Sequence, residues 1–547
     1  MMRPLVVAFL SLSAVFAGDP VSPDAGGERS QRAQASSHGV EAKAWRQFLV
    51  DTAAGNKTCI PDFSYSGYRH GESPVPEIAG PVFKVTDYGA HPNAPASSAP
   101  AIQRAIDACE AAGGGVVLFP KGIFIINDDE RAKAPALRVS GSRVVLRGAG
   151  SGADGTVLYS PAVIQPEDPE NKWTGKAPLV VGTPLGTPAK KATVKAPAAK
   201  GSFMLLLEEG HRFQAGDRMV LKMSRRGTNA ASFVAPHPWE SDWHTRIRIN
   251  EIHEISSVEG NKVRLAEPLM IDVDAGGDWN VEGIRFLSEI GIENICFRGA
   301  WKGKFVHHRS WRDDSGCRGL AMQGCENSWI RNCVFEDMNW PIAIWKSRQI
   351  TVENVRFTGT PGHFGIMADG DYGVLALRVR DEAGHHHGPS VQGACSTVYH
   401  QCSWGAATSF DSHGGNPYAT LHDCNDGGLT LRGVGGDPSN FPHHLHDLIL
   451  WNLHVSKAPP WPLLFWSVGK EHYPKTFVQV LLEGVHGAPV NIPDQPRVSN
   501  EDPGEAVLPH SLWLAQLKRR LGVIPEYYRK FEDNPRSSTT TGQDKPR

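Results

Sequence analysis

The sequence predicts an all-β chain wound as a parallel β-helix of about 22 residues per turn, and three observations carry that prediction. A short motif, apolar-x-Asn-apolar-x-Phe, occurs at Ile292 to Phe297, loosely at Ile330 to Phe335, and at Val352 to Phe357. A step of 22 residues separates Asn332 from Asn354, Leu320-Ala321-Met322 from Ile342-Ala343-Ile344, and that triplet from Phe364-Gly365-Ile366. The same step separates Cys402 from Cys424 and Gly405 from Gly427. Finally, nothing between these segments has room for a crossover helix of a dozen residues or more, which excludes a doubly wound α/β sheet. A fixed period of this length marks a solenoid, and at about 3.3 Å per residue one turn measures roughly 70 Å, enough for three short strands and three corners.

The elements follow in order. Arg3, the apolar run Leu5 to Phe16 and the small residue Ala17 read as a cleaved signal peptide over residues 1–17, and so as a secreted or periplasmic protein. The run is 12 residues long, too short to span a bilayer. Residues 18–60 read as a leader, partly disordered. Residues 61–157 start the solenoid: Phe83 to Ala90 is a strand and turn, and Ile102, Ala105, Ile106 and Cys109 have the spacing of an amphipathic helix that Gly113-Gly114-Gly115 ends. Val116 to Gly122 and Val144 to Gly150 are further strand-turn units. Residues 158–284 break the period and read as an inserted β subdomain. Residues 285–508 are the β-helix turns. Residues 509–530 hold a C-terminal helix with Leu514, Leu517 and Leu521 on one face, and 531–547 is a disordered tail.

Composition narrows the function. Lys plus Arg is 56 and Asp plus Glu is 58, a net charge of −2, which excludes a generally basic nucleic-acid binder; no stable membrane insertion is expected either. The nine cysteines are an odd number, so one at least is unpaired within a monomer; Cys402 and Cys424 are placed to stack, as a disulfide or as free thiols. Eleven of the 23 histidines lie between His363 and His454, which directs attention to that stretch.

The opening block, with Asp87-Tyr88-Gly89-Ala90, Ala101-Ile102-Gln103, Gly113 to Gly122 and Val144 to Gly150, resembles the start of the pectate-lyase superfamily of right-handed parallel β-helices. Asn93 to Pro100 departs from it, replacing the Asp-rich turn usual before the helix. The segment around Ser511 to Leu517, and His387-Gly388 followed by Asp411-Ser412-His413-Gly414-Gly415, are similar to uncharacterised secreted β-helix proteins related to polysaccharide lyases. The resemblance implies the handedness, an N-terminal helical cap and a polar centre in that second segment. The opening motif carries no catalytic residue.

Stacked on a 22-residue grid, His385, His387, Asp411 and His413 converge on one exposed sheet, with Trp345 and Lys346 before them, Arg432 after and Asn416 in the same polar stretch. A second column runs Arg356, Arg378, His400, His422 and His444, a candidate track of cations for an acidic polymer. The chemistry that suits these residue types is β-elimination on a uronic-acid glycan. A cation neutralises the carboxylate, which acidifies the C5 proton, and a base removes it. Histidine, with a free pKa of about 6.5, suits the base. His387 or His413 is the base, with Lys346, Arg378 or Arg432 as carboxylate partner; His385, His400, Asp411, Asn416 and Trp345 are substrate-binding candidates. A glycoside hydrolase needs two flanking carboxylates, and only Asp411 stands in the dense segment. A non-catalytic glycan-binding or tailspike-like module is the third class. No metal ligand is assigned: adjacent histidines in a strand point to opposite faces and no HExxH helix exists. Calcium stays open, with Asp369, Asp371, Asp381 and Glu382 as its only candidates.

Overall fold

The computed structural model describes residues 39–532 apart from 239–245, 276–277, 432–433 and 469–473. The expected signal peptide, residues 18–38 of the leader, nearly all of the tail and Arg432 lie outside the described residues.

Three parallel sheets run side by side along the chain, which visits them in rotation. One full turn is Cys325–Arg331 in sheet 1, Val334–Glu336 in sheet 2 and Trp340–Trp345 in sheet 3, after which Arg348–Glu353 returns to sheet 1. Each strand pairs in parallel with its counterpart one turn on, so the architecture is a parallel β-helix. Met322, Ile344 and Ile366 share sheet 3, and the inward side chains Ile292, Ile330, Val352, Phe335, Phe357, Ile342 and Ile344 form one continuous core.

The 22-residue step holds for the turn from Leu320 to Ile342. The next step pairs Ile342 with Ile366 and Arg356 with Arg380, both 24 apart. Two extra residues in the corner after Thr358 account for the change. Later steps pair Met367 with Ser390 and Ser390 with Asp411. Phe364 therefore stands opposite His387, not over Ile342, and Asp411 continues the outward column Ala343, Met367, Ser390. Extra residues are absorbed in corners because a slip inside a strand would turn its core side chains to solvent.

The same drift dissolves the expected cation column. Arg356 lies in sheet 2 and pairs with Glu382. Arg378 turns a corner, donates from Nε to Gln401 Oε1 at 2.9 Å and packs over Phe531. His400 is buried against Asp423. His422 sits in the interior column between Tyr399 and Leu450, stacked on Tyr399, and burial pushes its pKa down to about 3. His444 is buried too, and burial lowers it well below an ordinary histidine. Cys402 and Cys424 are both free thiols: His400 pairs with Asp423, so Cys402 lies across from Asn425, while Cys424 occupies a corner with Sγ 3.0 Å from the His510 carbonyl.

The helix Ala99–Ala111 buries Ile102, Ala105, Ile106 and Cys109 against Val117, Val139 and Val144 of the first turns. The antiparallel insert runs from Lys191 to Ile284; Leu179–Gly182, expected within it, extends sheet 3. The insert and the C-terminal helix Leu512–Leu521 share a core with Leu375, Val398, Leu421 and Ile449 on the outer face of sheet 1. Arg348 joins insert to solenoid, reaching Glu267 Oε1 at 2.8 Å and Glu326 Oε2 at 3.1 Å. The helix begins on Asp423, whose carboxylate accepts the Leu512 and Trp513 N–H groups, and Ser511 Oγ caps the Leu514 N–H. Sheet 1 is thus covered on its outer face, whereas the outer face of sheet 3 carries a cleft.

Candidate active site

A cleft of about 940 Å³ lies on that face. Trp345, Met367, Asp369 and Gln392 form its floor as outward residues of successive sheet 3 strands. One wall comes from an excursion. The turn before Cys325–Arg331 pairs Gly291 with Trp329, a step of 38 residues in place of 22, and the surplus between Gly299 and Cys317 carries His307 and His308. Asn339 pins the excursion: its Nδ2 donates to the Arg312 carbonyl at 2.9 Å and its Oδ1 accepts the His363 N–H at 2.9 Å. The corner residues His386 and His387, and His413 with the segment Val434 to Asn440, complete the cleft.

Asp411 organises the imidazoles. Its Oδ2 accepts from Ser390 Oγ at 2.7 Å and from His413 Nδ1 at 3.0 Å, with His387 Nδ1 at 3.6 Å; its Oδ1 accepts the Gly435 N–H at 2.9 Å. Burial alone would raise its pKa, but the charges of His387 and His413 and these hydrogen bonds outweigh burial and hold the carboxylate well below its usual range. The His387 side chain is fully buried and stacked on Phe364. His413 is 14% exposed and is the imidazole of this pair that solvent reaches. Burial lowers His386 and brings His307 down to about 3. Burial raises Asp369 to about 6 against the opposing charges of Lys346 and His413.

Arg318 is the unexpected residue. It opens a sheet 3 strand, is buried, and lies with its guanidinium over Trp340 and beside Trp345. Nη2 donates to the Trp173 carbonyl at 3.0 Å, Nε has no hydrogen-bond partner, and among the described residues no carboxylate pairs with it. Burial brings its pKa down to about 9. Arg318 and Trp345 also line an adjoining groove of about 510 Å³ with Lys133, Arg138 and Lys176.

Of the residues singled out from sequence, the structure brings His387, His413, Asp411 and Trp345 together. Lys346 is exposed on the corner after Trp345 and faces a separate cavity with Leu185 and Gly370. His385 points inside: Nδ1 meets Asp381 Oδ1 at 2.8 Å and Nε2 the Met338 carbonyl at 3.1 Å. Asn416 is buried and ties the insert down, accepting the Arg248 N–H at 2.7 Å. Arg378 and His400 sit near the C-terminal segment, away from the cleft, because the 22-residue grid does not persist. Three of the four calcium candidates are engaged within the protein, and Asp369 alone of them lines the cleft. Asp371 accepts from the Ser347 and Asp369 amides, Asp381 from the Gly384 and His385 amides, and Glu382 pairs with Arg356. Among the described residues every cluster of metal-ligating groups contains histidine. Sequence reasoning missed Arg318, Trp340 and His307; the His307-His308 pair inside an over-long turn was the available signal.

A family model described as a domain of unknown function, DUF4955, matches residues 384–531, which include His386, His387 and His413 but not Arg318 or His307. No curated protein matches the sequence. Solved structures similar to the chain include the tailspike gp49 of Pseudomonas phage LKA1, at 13% identity and TM-score 0.47, covering 74% of this chain and 63% of the tailspike. The chain thus spans less than two thirds of that protein. An exopolygalacturonase from Thermotoga maritima matches at 11% identity and TM-score 0.36, over 79% of this chain and 93% of the enzyme. The Gp54 tailspike of Acinetobacter baumannii bacteriophage AP22, solved with capsular saccharide, matches at 10% identity and TM-score 0.32, over 77% of this chain and 73% of the tailspike. At these values the fold of the chain is defined by its own strand pairing.

Proposed function

We propose that the protein is a secreted polysaccharide lyase on a right-handed parallel β-helix, cleaving a uronic-acid glycan by β-elimination. The observation that supports this reading is Arg318, a buried cation in a cleft with no acidic partner among the described residues. A buried charge is costly unless something pairs with it, and a uronate carboxylate supplies the partner in bidentate form. Lys133 and Arg138 in the adjoining groove extend the positive surface along the polymer.

In this reading the carboxylate sits on Arg318, which stabilises the charge that develops as C5 loses its proton. His413 takes that proton on the nitrogen facing the cleft, while Asp411 holds its Nδ1–H and so fixes the ring. The C5–H electrons become the C4–C5 double bond as the C4–O bond breaks, and the departing oxygen is protonated. Asp369, which keeps its proton up to about pH 6, stands in the same cleft as donor. Trp345 offers a face for a sugar ring.

Incubation with a panel of uronate and neutral glycans tests the proposal. Absorbance of an unsaturated uronate, present with wild type and lost in Arg318→Ala, is the expected result. New reducing ends without that absorbance overturn elimination and favour hydrolysis, a reading with its own support: Asp369, raised by burial, and Asp437, lowered by the Ser439 hydrogen bonds, line one cleft as an acid and a base would. Binding without turnover would make the protein a glycan-binding module.

A further inference from the structure

We propose that His307, His363 and His387 together bind a divalent transition-metal ion, zinc by the nature of their donors. The three residues each offer one imidazole nitrogen, and these nitrogens lie within 4.8 Å of one another. They come from three separate places: the excursion, the corner before Ile366–Asp369, and the corner one turn further on. Neighbouring histidines on one strand could not converge in this way; residues from successive corners can.

The hydrogen bonding leaves their lone pairs free. His363 is fully buried, and its Nδ1 lies 2.7 Å from the Asp314 carbonyl. A carbonyl only accepts, so the proton sits on Nδ1 and Nε2 presents its lone pair. That Nε2 is buried and has no hydrogen-bond partner. His387 Nδ1 lies 3.6 Å from Asp411 Oδ2, beyond hydrogen-bond reach, and both of its ring nitrogens are buried without a partner, as is His307 Nε2. Buried polar atoms are normally satisfied, and three clustered rings that each carry a buried, unpartnered nitrogen are a donor set that a metal ion would satisfy. The Asp314 carbonyl behind His363 is the kind of support that metal-ligating histidines receive. The packing is tight here: a Cβ on Gly435 would lie 2.9 Å from His387 Cε1 and 2.4 Å from His413 Cε1, so only glycine lets the backbone close over these rings.

Nitrogen donors select the metal. Calcium takes oxygen ligands, whereas imidazoles suit zinc and its neighbours. Three protein ligands leave a tetrahedral ion one position for water or a ligand from the cleft. This inference does not depend on the reaction proposed above, since metal binding is read without any substrate.

The test uses the full chain, stripped with a chelator and then dialysed against micromolar Zn²⁺ or Co²⁺. About one equivalent of zinc by elemental analysis, a tetrahedral Co²⁺ absorption band, and X-ray absorption showing imidazole nitrogens at about 2.0 Å are expected. His363→Ala and His387→Ala should abolish the band. His307→Gln, at a half-buried position that tolerates exchange, should weaken zinc at least about tenfold with the circular dichroism unchanged. His454→Gln, which alters a histidine paired with Asp426 on sheet 2, should bind as wild type. Folded wild-type protein that takes up no zinc, or uptake unchanged in His307→Gln, would overturn the proposal. Uptake of Ca²⁺ in place of Zn²⁺ would also overturn it.

Discussion

The guanidinium carbon of Arg318 lies 3.9 Å from the centroid of the Trp340 ring, stacked on an aromatic face where a buried arginine would ordinarily meet a carboxylate. Cation–π attraction offsets part of the lost hydration, but it leaves Nε without a partner. The position is therefore costly for the protein alone.

That cost gives a prediction of unusual sign. Arg318→Met should leave the folded state as stable as wild type or more stable by about 1 kcal/mol, because an uncompensated buried charge is removed. If the proposed reaction holds, the same variant should lose on the order of 10²-fold in kcat/KM on a uronate glycan. Thermal melts and initial rates on one preparation check both halves. A clear loss of stability would show that Arg318 serves the fold.

Arg348→Met should behave in the opposite way. Arg348 is buried and meets Glu267, Glu326 and, at 3.5 Å, Glu254. Removing it leaves Glu267 buried without its principal cation, a loss of about 3–5 kcal/mol. Urea unfolding should show an earlier midpoint, with the insert the first part to become protease-sensitive.

Stability should also depend on pH through His253. Burial by itself would lower its pKa, but Glu251 and Glu267 on either side raise it to about 9. A raised folded-state pKa contributes stability that is fully present below the unfolded value of about 6.5 and is lost as pH rises through about 9. Urea midpoints measured from pH 6 to 10 should fall across that window. His253→Gln should flatten the fall, and an unchanged slope would remove His253 from the account.

His413→Ala should lower kcat by about 10²-fold or more, with KM little changed, if His413 is the base. The change also takes a hydrogen bond from buried Asp411, so the melt should correspond to a loss of about 1–3 kcal/mol, and the rates are compared below the melting transition. Trp345→Ala should instead raise KM, by about tenfold for the loss of a sugar-stacking face. Kinetics on a substrate found in the glycan panel separate the two effects.

The solenoid was legible in the sequence because Ile330 and Val352, or Leu320 and Ile342, must face one core at a fixed spacing, and such a period survives in plain text. The faces of the later turns were not. Two residues added after Thr358 cost nothing in the corner yet carry Phe364 away from Ile342, and further changes of length in later turns pair His400 with Asp423 and His422 with Leu450, so the supposed column through His400, His422 and His444 fell apart. His387, Asp411 and His413 were found because they lie within one polar stretch. Arg318 was not, since an arginine at the head of an apolar strand reads as a solvated end until the loop holding Trp173 is seen to cover it. The C-terminal helix was read from its leucines, but its anchor, Asp423, comes from a strand some 90 residues earlier.

The over-long turn between Gly299 and Cys317 has an evolutionary consequence. Shortening it by about sixteen residues would restore a turn of the length found next in the chain, with every strand keeping its partner. The winding would persist while His307 and His308 vanished. Descendants of one ancestral coil can therefore gain or discard this pair of imidazoles by a single loop-sized insertion or deletion, and kinship in the coil is no warrant for kinship in the reaction.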